Sequence, residues 1–87
     1  MVELKQALVI LETIINDRTV PKNIRGAVEN SKKALNDDSQ PEELRISTAL
    51  HILDEIINDP NMPVYTRTQI WNVVSILEQL RKELKSL

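Results

Sequence analysis

The chain has 87 residues, enough for one small domain with a modest core, and its 11 basic and 13 acidic side chains leave a net charge of −2. With no cysteine, disulfides, thiolate metal sites and cysteine nucleophiles are excluded together. The lack of a basic excess argues against a duplex-binding protein.

At 41% hydrophobic and 28% charged, the composition is that of an ordinary folded protein and not of a disordered one. Only 2% is aromatic and phenylalanine is absent, so the core must come from Leu, Ile, Val and Ala. Such side chains offer little for base stacking. The opening Met-Val-Glu-Leu-Lys lacks the basic and apolar regions of a secretory leader, and no apolar run approaches membrane-spanning length. A cytoplasmic location and no membrane partner are therefore expected.

A first helix is expected over about 2–17, where Leu4, Ala7, Leu8, Leu11, Ile14 and Ile15 share one face at i, i+3, i+4, i+7 spacing. Asn16 is placed to end it in a left-handed conformation. A second helix is expected over about 20–36, with Thr19 as its N-cap and Pro21 in its first turn. Its stripe of Ile24, Ala27, Val28, Ala34 and Leu35 is thinned by Ser31 and by Gly26, a residue costing a helix about 1 kcal/mol relative to Ala.

Asn36–Ser39 reads as a joint, and Ser39-Gln40-Pro41-Glu42 matches a capping box. The third helix, about 40–59, directs Ile46, Ala49, Leu50, Leu53, Ile56 and Ile57 inward, and Pro60 stops it. Asn61 takes the capping place of Thr19, and a fourth helix over about 62–86 carries Ile70, Val73, Val74, Leu77, Leu80 and Leu84. Connections of about 3–5 residues force successive helices antiparallel. The expected fold is all-α: an antiparallel four-helix bundle forming one domain over 1–87.

The bundle is written twice. Ala7–Asp17 recurs 42 residues later as Ala49–Asp59, and Pro21, Arg25, Asn30 and Leu35 reappear as Pro63, Arg67, Asn72 and Leu77. Across residues 7–35 and 49–77, 12 of 29 positions are identical, where chance would give about two. This marks a tandem duplication of one helical hairpin, the copies spanning about 1–36 and 40–86.

The run Ile-Ile-Asn-Asp, three residues, Pro, three residues, Arg resembles the cadence of HEAT-type helical hairpins. That resemblance assigns the turn positions to Asp17 with Arg25 and Asp59 with Arg67. More specifically, the length, the two Ile-Ile-Asn-Asp runs, the paired prolines and the single Trp71 resemble an uncharacterised family of small archaeal four-helix proteins. The resemblance implies a cytoplasmic bundle and brings over no catalytic or binding residue.

Chemistry is sparse. His51 is the only histidine and projects away from the core face, so with Glu55 it supplies at most two of the three or four ligands zinc requires. The acidic Asp37, Asp38, Glu42 and Glu43 lack the glycine turn and ligand spacing of an EF-hand. Gly26 is the only glycine, so no phosphate-cradling loop exists. No metal, cofactor or small-molecule substrate is expected, and no enzymatic activity.

Asp17, Arg25, Asp59 and Arg67 are expected to brace the two hairpin turns, with a row of charges for a partner as the alternative. Trp71 lies off the core stripe on the side of Val64 and Ser75, and its counterpart in the first copy is Glu29. It is either a lid over a Phe-free core or the centre of a contact surface with Val64 or Tyr65. The function expected is a protein-interaction module, with an unknown protein partner or weak self-association. The rival is an RNA or ribonucleoprotein accessory using Lys22, Arg25, Lys32 and Lys33, which the negative net charge makes the less favoured.

Overall fold

The computed structural model describes residues 2–86 and contains four helices: α1 (Val2–Ile15), α2 (Lys22–Leu35), α3 (Glu42–Ile56) and α4 (Val64–Lys85). Among the described residues there is no strand. Each helix packs on its neighbours in sequence, and α1 closes the ring against α4. The backbones of the diagonal pairs α1/α3 and α2/α4 stay apart, their side chains sharing one core. The protein is thus an antiparallel up-and-down bundle of two helical hairpins.

Leu11 and Leu53, Ile14, Val28 and Ile70, and Leu35 and Leu77 are all buried, with repeat partners often occupying matching core places. The second helix departs from expectation. Ser31 is fully buried where Ala27 and Ala34 were expected to face inward, and those two alanines sit at the margin. A hydroxyl is tolerated there because it donates to the Ala27 carbonyl at 3.2 Å, one turn back in the same helix. Its counterpart in the second copy, Val73, is buried outright.

The joints are longer than expected, covering residues 16–21, 36–41 and 57–63. The reason lies in the prolines. Pro21, Pro41 and Pro63 do not sit inside the first turn; each occupies the capping position with ψ of 147°, 150° and 144°. The residue before a proline is driven toward extended backbone, which delays each helix start. The proline carbonyls then accept the amides of Arg25, Arg45 and Arg67 at 3.0 Å.

Thr19, Ser39 and Asn61 are therefore not N-caps, and the capping box does not form. No side chain caps α2, α3 or α4. Nor does any described residue have a positive φ, so Asn16 is not a left-handed terminus. The tip residues Val20 and Met62, equivalent in the repeat, fold back into the core and close one end of the bundle.

Candidate functional site

All three joints are built the same way, including the middle one, which sequence spacing had set apart. Each reads Asn-Asp, one residue, then Thr, Ser or Asn, one residue, then Pro, with Arg four residues on. In each the Asp amide donates back to a helix carbonyl: Asp17 to Ile14 at 3.1 Å, Asp37 to Ala34 at 3.3 Å, Asp59 to Ile56 at 3.0 Å. Each Asp carboxylate accepts the amide two residues on, from Thr19 at 2.9 Å, Ser39 at 3.1 Å and Asn61 at 2.8 Å. These are Asx turns, in which a side chain does locally what a left-handed residue would otherwise do. The Thr19 and Ser39 hydroxyls donate to the same oxygens at 2.6 and 2.5 Å.

Two of the three arginines, Arg45 and Arg67, bind backbone carbonyls of their joints. Arg67 Nη2 donates to the Asp59 carbonyl at 3.0 Å, and Arg45 Nε donates to the Gln40 carbonyl at 2.8 Å. Among the described residues no hydrogen bond joins Arg25 to Asp17, although the guanidinium charge favours the Asp17 carboxylate. Asp59 and Arg67 thus meet through a carbonyl and not through their charges. Asp59 has a further tie: its second oxygen accepts Asn23 Nδ2 at 2.9 Å, joining the α3–α4 joint to the start of α2.

Three carboxyls are held below their ordinary values. Asp17 and Asp37 are lowered chiefly by the hydroxyls of Thr19 and Ser39, then by the same residues' amides. Glu12 is lowered by its hydrogen bond and charge interaction with Lys32, whose Nζ is 2.6 Å away across the α1–α2 interface. A carboxyl with a lowered folded-state pKa contributes stability above its unfolded pKa and loses it as pH falls through the folded one. Thermal stability should therefore drop on acidification from about pH 6 to about pH 3. The double variant Asp17→Asn, Asp37→Asn, which keeps the acceptor oxygens but cannot titrate there, should lose less. Identical melting-temperature losses for both proteins would show that these turns do not carry the acid response.

His51 is exposed, with Nε2 3.1 Å from Glu55 Oε1. Among the described residues, no three His, Asp or Glu side chains gather as a metal-binding group. Among the described residues, no helix is long and apolar enough to cross a membrane. On α2, Lys32 pairs with Glu12 and Lys33 lies 3.9 Å from Glu29. Half of the expected basic strip is thus matched by acid.

Among the described residues the large exposed apolar side chains are Val2 and Val9 on α1, Leu44 on α3, and three on α4. Val64 is 79% exposed, Tyr65 71% and Trp71 54%. Val64, Thr68, Trp71 and Ser75 form one outer stripe at i, i+4, i+7, i+11. Tyr65 stands roughly 120° around the helix from Trp71, at 3.6 residues per turn. It lies in line with Asn72, which borders an open groove of about 670 Å³ between α1 and α4 that also takes in Val2, Val9 and Ile76. Trp71 leans over the opposite flank, in a cleft of about 210 Å³ shared with Ile57, Asn58 and Arg67. Val64 and Trp71 therefore form one exposed line, with Tyr65 on the far shoulder.

Fold and surface define a small four-helix protein made from a duplicated hairpin. The profile of the uncharacterised protein family UPF0147 matches residues 2–80, and the chain belongs to that family. It is 54% identical over 78 residues to the UPF0147 protein of Methanocaldococcus jannaschii, covering 90% of this chain and 84% of that one. It is 51% identical over 79 residues to the UPF0147 protein of Metallosphaera sedula, covering 91% and 89%. A crystal structure of a UPF0147 protein from Thermoplasma acidophilum is similar at TM-score 0.85 and 37% identity, covering 90% of this chain and 92% of that one. The expected kinship with small archaeal four-helix proteins is thus established.

Proposed function

We propose that the protein is a non-enzymatic interaction module that binds another protein through the outer face of α4. The observation that carries this reading is the exposed line of Val64 and Trp71, which stands outside the core cluster and the residues packed against it. A tryptophan left more than half in solvent gains from burial only when a partner arrives, and Trp is prominent among interface hot spots.

The test compares wild type with Trp71→Glu, which installs the residue of the first copy. Each immobilised protein is incubated with extract from an archaeal source of the family. Proteins held by the wild type should be released from the variant, whose unfolding free energy should change by less than about 1 kcal/mol, as expected of a surface position. Equal capture by both proteins would overturn the reading, and a destabilisation of several kcal/mol would return Trp71 to the role of core lid. Binding of RNA that weakens steeply with salt would favour the nucleic-acid rival instead.

A further inference from the structure

The only glycine of the chain sits in the middle of α2, where nothing within the molecule calls for it. Gly26 has an ordinary helical backbone, and a Cβ built on it would meet no neighbouring atom within 4 Å. Over it lies an open hollow of about 310 Å³ on the outer side of the first hairpin. Ile15 lies at its α1 side, Lys22 and Arg25 flank it, and Glu29 stands one turn further along α2. That set suits one kind of occupant: an apolar body for Ile15, a π face for the two cations, and an N–H donor for the Glu29 carboxylate. An indole ring has all three.

The repeat supplies such a ring at the matching place. Offset by 42 residues, Lys22, Gly26 and Glu29 become Val64, Thr68 and Trp71. The same three positions form a charged hollow on one hairpin and an apolar projection on the other. We infer that a second copy of this chain seats its Trp71 in the hollow over Gly26, so that copies associate head to tail. This rests on the reading of the α4 outer face as an interaction surface and names both its partner and the surface that receives it. Because α2 and α4 are diagonal in the bundle, their outer faces, with the hollow and the projection, point opposite ways. A single two-fold contact cannot bury both, so the contact is heterologous and builds either a ring of three or more copies or an open chain.

The experiment uses three full-length proteins: wild type, Trp71→Glu, and Gly26→Gln, which fills the hollow without adding apolar surface. In sedimentation velocity from micromolar to millimolar concentration, the wild type should grow past a dimer. Each variant alone should self-associate roughly tenfold more weakly or less, the effect of losing one hot spot. Mixed in equal amounts, the variants should form dimers and nothing larger, since Trp71 of Gly26→Gln still finds the hollow of Trp71→Glu. Emission from the single tryptophan should shift to the blue as wild-type concentration rises and stay fixed in Gly26→Gln.

Gly26→Gln should melt no lower than the wild type, which separates loss of the hollow from loss of the fold. A wild type that stays monomeric, a Gly26→Gln that associates as the wild type does, or a mixture that stays monomeric would each overturn the inference. If Gly26→Gln associates normally while Trp71→Glu does not, Trp71 is an interface residue with another receptor. The proposed function then stands without this partner surface.

Discussion

Leu53→Ala is expected to destabilise the fold by about 2–5 kcal/mol, the range for removing a fully buried leucine from a packed core. Leu53 has no exposed surface, and its helix is packed against α2 on one side and α4 on the other. The joints at the two ends of α3 are held by Asx turns and backbone-bound arginines. The helix is therefore poorly placed to slide inward and close the cavity, which pushes the loss toward the upper part of that range. Set against a total of about 5–15 kcal/mol for a small domain, one substitution would remove a large share of the stability. Leu11→Ala, the same position in the first hairpin, should behave alike. Ser31→Ala should be far milder, because its hydroxyl is satisfied within its own helix. Urea unfolding gives the measurement: the midpoint should fall for Leu53→Ala with little change in slope. A loss below about 1 kcal/mol would mean that the site collapses freely and that the joints do not hold the helices apart.

The helices were legible in the sequence because a 3.6-residue period is a property of the chain alone, and α1, α3 and α4 turn inward the residues their stripes name, with Leu4, Leu8, Ile15, Ile56 and Leu84 half-buried at the core's edge. Ser31, one of two buried hydroxyl residues with Thr66, was unreadable for a physical reason: hydropathy ranks a hydroxyl by its cost in isolation. That cost disappears when a carbonyl one turn back accepts the proton. The joints were misread by two residues at each helix start because a threonine or serine near a helix resembles a cap. In fact the preceding aspartate had captured its amide and hydroxyl. The equality of the middle joint to the outer two was visible as Asp, three residues, Pro, three residues, Arg, but the 42-residue offset drew attention only to the outer pair. On the candidate surface, the outward projection of Trp71 followed from its angle to Ile70 and Val73. The hollow over Gly26 could not, because it depends on how α1 sets Ile15 beside α2.

Asp59→Ala should have the largest effect among the three joint aspartates, about 1–3 kcal/mol, as fits the loss of hydrogen bonds to a carboxylate. Asp17 and Asp37 hold only their own turns, through the residue two positions on. Asp59 holds its turn through the Asn61 amide at 2.8 Å and also reaches Asn23 at 2.9 Å, at the first turn of α2. That bond joins the second hairpin's tip to the first hairpin, at the end of the bundle closed by Val20 and Met62. Arg67 would remain on the residue 59 carbonyl, so the joint should loosen without losing its path. The cross-hairpin part can be isolated by a double-mutant cycle with Asn23→Ala. Because both groups are largely solvated, a coupling of about 0.5–1 kcal/mol is expected, while residues that do not interact add within about 0.3 kcal/mol. A coupling near zero would reduce Asp59 to the same local role as Asp17 and leave the joining of the two hairpins to the apolar core alone. A clear coupling would show that the duplicated unit acquired a polar latch between its copies: Asn23 holds the place of Tyr65 in the repeat, so the bond has no counterpart on the other side of the bundle.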